Sequence, residues 1–217
     1  MRFLVLCGIT FAAALSFASS CVARPIAYSG AGTAMFEYGD TMREAQLYYA
    51  PKYWYSGGAV WHRMTSDDGR IEREVTLLRG NLLARRWNHD RAQANLFVWG
   101  GLGRARGSEF EGSETARNAG FQVDYETLRV YANLRSDWIH SDAFVHRVDS
   151  AQFGLAPYVH RYGSWATWVV VQARRKSGEL SEGVENSLLL RFFDETFWID
   201  AGLTEDGEPE VMLMINF

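Results

Sequence analysis

The chain contains two cysteines, Cys7 and Cys21, and both fall within its first 23 residues. Beyond them no thiol is left for a disulfide, a thiolate zinc site or a cysteine nucleophile. Lysine is as scarce: Lys52 and Lys176 are the only two among 22 basic residues. Against 26 acidic residues the formal net charge is −4, and the arginines are scattered rather than clustered. Nucleic acid is therefore excluded as a partner, since a binder would carry a basic patch and a high pI. After the N-terminal segment no run approaches the ~18 apolar residues of a spanning helix, and no amphipathic helix of useful length is legible. Disorder is excluded too, because 47% of residues are apolar and 14% aromatic.

Residues 1–23 belong to export. Met1-Arg2 is a short positive start, Phe3 to Phe17 an apolar run, and Ala18-Ser19-Ser20-Cys21-Val22-Ala23 a small-residue exit. That is the pattern of a secretory signal peptide. Cleavage after Ala23 leaves residues 24–217 as a single domain; cleavage after Ser20 would leave Cys21 for lipidation. The mature chain is then exported without disulfides.

What fills it is alternation of period two, broken every ten to fifteen residues by turn chemistry. Leu128, Val130, Ala132 and Leu134 alternate with Arg129, Tyr131, Asn133 and Arg135. Trp165, Thr167, Val169, Val171 and Ala173 oppose Trp168, Gln172 and Arg174, while Leu188 and Leu190 oppose Arg191. Twelve strands are expected, near 31–38, 43–50, 54–64, 71–86, 92–105, 115–125, 127–139, 145–159, 163–175, 184–193, 196–203 and 210–217. Short connections at 51–53, 87–91, 126, 160–162 and 194–195 alternate with longer polar ones at 65–70, 106–114, 137–144, 176–183 and 204–209. Short turns at one end and long loops at the other predict an all-β, closed, up-and-down antiparallel transmembrane barrel, with ten or eight strands as the fallback. The segment 71–86 fits worst, because Arg73 and Val75 would share a face, and a bulge or a different strand boundary is expected there. Aromatics at the strand ends (Tyr48-Tyr49, Tyr53-Trp54-Tyr55, Trp87, Trp138, Trp165, Phe192-Phe193 and Phe197-Trp198) suit the two membrane interfaces.

The last strand places Val211, Leu213, Ile215 and the terminal Phe217 on one face. This resembles the terminal strand that the barrel-assembly machinery recognises in outer-membrane β-barrels. Arg85-Arg86-Trp87-Asn88, Gln93-Ala94-Asn95-Leu96 and Gly154-Leu155-Ala156-Pro157-Tyr158 are similar to stretches of a family of small proteobacterial outer-membrane barrel proteins. The resemblance implies a Gram-negative outer membrane, with its lipid and lipopolysaccharide as surroundings. It implies no activity.

If the apolar faces meet lipid, the inward faces carry Arg129, Arg135, Arg174 and Arg191 together with Asp124, Asp200 and Glu210. Glu37, Gln46, Asn95, Gln122, Asn133, Gln152, Gln172 and Asn216 complete the set. Such a lumen is either salt-bridged and only structural, or a narrow passive pore whose arginines attract small anionic solutes. In the second respect it looks like the small twelve-stranded porins for acidic oligosaccharides. The loops are acidic at Asp67-Asp68, Glu109, Glu111, Glu114, Glu179, Glu182, Glu185, Glu205-Asp206 and Glu208, a solvated surface with at most weak affinity for divalent cations. Catalysis is not expected. His140-Ser141-Asp142 cannot converge on an extended chain, and His140 would need Ser150 or Asp149 across a hairpin to act as an outer-membrane lipid-modifying enzyme. Met212 and Met214 share an inward face, where core packing explains them better than a soft metal, and no cofactor is implied. The rival from another class is a soluble periplasmic β-barrel for a small apolar ligand. It would put Leu128, Val130, Leu134, Val169, Val171, Leu188, Leu190, Val211, Leu213 and Ile215 inside.

Overall fold

The computed structural model describes residues 26, 28–159, 165–177, 179–181, 183–194 and 196–217. The proposed export segment, both cysteines and Glu182 lie outside the described residues. Twelve strands run in sequence order: β1 (Ala31–Tyr38), β2 (Met42–Lys52), β3 (Tyr55–Thr65), β4 (Glu72–His89), β5 (Ala92–Gly107), β6 (Phe110–Thr127), β7 (Val130–His140), β8 (Val145–Leu155), β9 (Ala166–Ser177), β10 (Val184–Asp194), β11 (Phe197–Thr204) and β12 (Pro209–Asn216). Each pairs antiparallel with its sequence neighbours, and β1 closes the barrel on β12 from Thr33↔Asn216 to Tyr38↔Val211. The final residue joins the seam: the Phe217 N–H donates to the Gly32 carbonyl at 2.9 Å, and the Gly32 N–H donates back at 2.6 Å.

Alternation decides which face is wet. Leu134, Val169, Val171, Leu188, Leu190, Val211 and Ile215 point outward and are between 37% and 59% exposed. Their neighbours Asn133, Gln172, Arg174, Arg191 and Glu210 are buried inside. An apolar exterior around a polar interior inverts the order of a soluble protein and removes the soluble ligand-binding barrel. In lipid the closed ladder satisfies every strand's backbone groups.

Strand ends and connections differ in detail from expectation. At the end where β1 begins and β12 finishes (the terminal end), the turns are 53–54, 90–91, 128–129, 156–165 and 195–196; at the opposite (loop) end they are 39–41, 66–71, 108–109, 141–144, 178–183 and 205–208. The loop expected at 106–114 shrinks to two residues, because β5 and β6 keep pairing up to Gly107↔Phe110. The turn expected at 160–162 lies outside the described residues, with β8 ending at Leu155 and β9 beginning at Ala166. Arg73 and Val75 do share the inward face; the irregularity in β4 lies further on, between Leu83 and Arg85.

The aromatic ring is one-sided. Tyr49, Tyr53, Trp54, Trp87 and Trp165 are exposed at the terminal end, whereas Trp138 stands near the loop end. Tyr48 and Trp198 instead point inward and are buried, and Phe193 packs beside Trp198, because adjacent residues of a strand face opposite ways. At Gly58 and Gly103 a Cβ would lie 1.9 Å from the Leu47 and Thr76 carbonyl oxygens, so only glycine permits the close strand approach there.

Candidate functional site

The lumen is filled in layers. Near the loop end Met64, Val75, Leu77, Ile139, Phe144 and Leu180 form an apolar cluster. Arg73 threads it, its guanidinium 4.4 Å over the Phe144 ring and 2.6 Å from both Glu109 and Glu179. Phe144 comes from the 141–144 turn and Leu180 from the 178–183 loop, so two connections fold over that mouth. Toward the terminal end Tyr131, Trp168, Leu189, Trp198 and Met214 pack together, and Ile26 is buried against Ala50, Leu83, Phe97 and Trp99. Met212 packs against the first of these groups, which accounts for both methionines as core.

Between the apolar layers lie the charges. On β7, Arg135 sits 3.6 Å from Glu44 of β2 and 3.3 Å from Asp137. Arg79 of β4 reaches the same Asp137 at 3.3 Å, and the Asn118 amide donates to it as well. His62 Nδ1 lies 3.0 Å from Glu44. Arg174 of β9 crosses to β12 and β1, meeting Glu210 at 2.6 Å and also Glu37. The Gln172 amide donates to Glu210 at 2.6 Å. Arg191 holds Asp200 through two donated bonds of 2.7 Å, with its guanidinium 4.0 Å over the Trp198 ring. Asp124 accepts from the Asn95 amide at 2.6 Å.

Several of these pairs join strands that are not neighbours, so the side chains span the barrel. They leave a central cavity of about 100 Å³, bordered by Glu44, His62, Arg79, Gln122, Arg135 and Asp137. That is room for several waters, since one needs only ~10–15 Å³. The charges are unequally wet. The Arg135 side chain is 24% exposed, against 2% for Glu44, 8% for Asp137 and 5% for Glu210. Arg135 is thus the most accessible of these four.

Of the residues expected to face the lumen, Asp124, Arg135, Arg174, Arg191, Asp200 and Glu210 do so. Arg129 does not. It is exposed in the 128–129 turn, where its Nε donates to the Ala156 carbonyl at 3.2 Å. The expectation carried strand alternation past the true start of β7 at Val130; Leu128 falls in the same turn and leaves the lipid-facing set. Glu44, His62, Arg79 and Asp137 escaped sequence reasoning. Glu44 and Asp137 could have been found two residues from Gln46 and Arg135; Arg79 lay in the strand that fitted worst.

The hairpin enzyme candidate does not assemble. Ser150 borders the cavity, and Asp149 accepts from Ser136 on the other face. Ser141 Oγ is taken up by the Phe144 N–H at 3.1 Å. Among the acidic loop residues, Glu109 and Glu179 bind Arg73, and Glu185 lies 3.1 Å from Lys176. No group of three metal-ligating side chains occurs among the described residues.

No protein-family model matches the chain, and no curated protein does. Solved structures share its fold. The KdgM porin in complex with disordered oligogalacturonate aligns with a TM-score of 0.50 at 8% identity, covering 86% of this chain and 98% of that one. A second structure, the KdgM porin alone, aligns with the same TM-score, identity and coverage. The chain therefore has the twelve-stranded architecture of an outer-membrane porin.

Proposed function

We propose that the chain is a narrow passive pore of the Gram-negative outer membrane, selective for small anionic solutes. One observation carries this: the central cavity is bounded by ion pairs, and among their side chains Arg135 is the most exposed, at 24% against 2% for Glu44 and 8% for Asp137. A fixed, water-accessible cation at a constriction lowers the barrier for anions and raises it for cations. The KdgM porin, which shares this fold, is solved in complex with disordered oligogalacturonate, a polyanion. The cross-lumen pairs keep the passage narrow, so only small solutes fit.

The apolar clusters at both mouths favour a second reading, a sealed barrel with a structural role. The export segment 1–23, the single domain 24–217 and membership of the small proteobacterial barrel family belong to either reading. So does recognition of Val211, Leu213, Ile215 and Phe217 by the assembly machinery.

Single-channel recording on the mature chain in planar bilayers tests the pore. Small anion-selective steps are expected, and Arg135→Glu should shift the reversal potential toward cations. A folded, heat-modifiable barrel without conductance would establish the sealed reading. An unchanged reversal potential in Arg135→Glu would remove Arg135 from the mechanism.

A further inference from the structure

The lipid-facing wall carries a groove. Leu134, Ala151, Ala173 and Asn186 follow one another in direct register across β7 to β10. The two alanines are smaller than the flanking Val123, Phe153, Val171 and Leu188, and the wall opens there into a groove of about 780 Å³. One step nearer the loop end, Ser136, Asp149 and Arg175 form the next register row. Arg147, two residues before Asp149, is the diagonal neighbour of Arg175, ~7–8 Å away on the same outward face.

These charges stand at the loop-side edge of the apolar wall. Arg147 lies 5.4 Å over the Trp138 ring and 2.9 Å from Asp149, which also accepts from Ser136. Asp149 is thereby engaged, and Arg175 is exposed with no ion pair or hydrogen bond among the described residues. A guanidinium at the border of hydrocarbon is costly unless an anion meets it. The basic rim continues round the wall, with Arg117 of β6 directly opposite His140 of β7. That repetition suits a headgroup with more than one phosphate.

We propose that the groove and the Arg147–Arg175 pair form a site for one lipopolysaccharide molecule. An acyl chain lies over Ala151 and Ala173, and a phosphate bridges the two guanidinium groups, whose planar forks match phosphate oxygens. The site rests on the placement of the barrel in the outer membrane with its loop end toward the lipopolysaccharide leaflet.

Native mass spectrometry of the refolded barrel with added lipopolysaccharide tests it, with phosphatidylglycerol as the competing probe. One retained lipopolysaccharide per barrel is expected. Arg175→Gln should weaken retention about ten-fold, the scale of one charge-assisted contact, and Ala173→Trp should weaken it by filling the groove. Arg129→Gln, in the 128–129 turn, should change nothing. Equal retention of phosphatidylglycerol would overturn the choice of ligand. A barrel dimer abolished by Ala173→Trp would assign the groove to a second copy instead. A barrel that inserts into vesicles and conducts yet retains no lipopolysaccharide refutes the site alone; one that fails to insert refutes the membrane placement beneath it.

Discussion

Replacing Arg191 by methionine should be among the most damaging single changes in the lumen, and its cost can be worked from the geometry. Arg191 is 2% exposed, and its two 2.7 Å bonds to Asp200 are charge-assisted on both sides. Once the guanidinium is gone, Asp200 keeps, among the described residues, the Trp198 indole N–H at 2.9 Å. Two such bonds are each worth ~1.5–3 kcal/mol, and stranding one charge of a buried pair typically costs ~3–5 kcal/mol. A loss near ~4 kcal/mol is therefore expected for Arg191→Met, and a similar loss for Asp200→Leu, which strands the cation. The double variant strands neither. Its loss should fall at least ~3 kcal/mol short of the sum of the singles. Urea titration of the barrel in lipid vesicles, followed by tryptophan fluorescence, measures all three. Additive losses, or a single-variant loss below ~1 kcal/mol, would show that the pair is solvated and that the layer does not seal this side of the lumen.

Leu134→Arg separates lipid from water as the outer solvent: Leu134 is 57% exposed, so in water the change would be nearly neutral, whereas in a bilayer it should cost ~2–4 kcal/mol near the midplane. Vesicle folding titrations read the difference. Gly103→Ala should abolish or strongly slow refolding, since its methyl would meet the Thr76 carbonyl at 1.9 Å; the unboiled band shift on gel electrophoresis checks it. In the 66–71 loop, the Ser66 hydroxyl at 2.6 Å and then the Arg70 N–H at 3.0 Å hold the exposed Asp68 carboxyl below its ordinary range. A depressed carboxyl contributes stability above its unfolded value and loses it as pH falls through the folded one. Carboxyl NMR titration should find Ser66→Ala returning Asp68 toward ordinary carboxylate behaviour.

The fold was legible because a barrel wall is a local device. Each strand shows its lipid face through period two, and β9 to β12 could be read within a few residues of their observed ends. Legibility failed where a strand continued without lipid to select its outer residues. β6 runs from Phe110 rather than 115, on polar outward positions such as Ser113 and Thr115 that read as loop. Arg129 failed for the opposite reason, with apolar alternation persisting into a turn. The site was legible as a list of inward residues, since facing inward is a property of one strand.

Composition and periodicity by themselves pointed to a closed barrel of twelve strands, with its apolar side outward and Arg135, Arg174 and Arg191 inward. Tertiary structure alone decided who meets whom across the lumen. Arg135 finds Glu44, and Arg174 finds Glu37 137 residues away, because closure curves distant strands to face one another at side-chain reach. It also decided that loop residues Phe144 and Leu180 fold into one mouth. The physical reason is that alternation is set by each strand's own backbone, whereas cross-lumen distance is set by strand number and register around the whole ring.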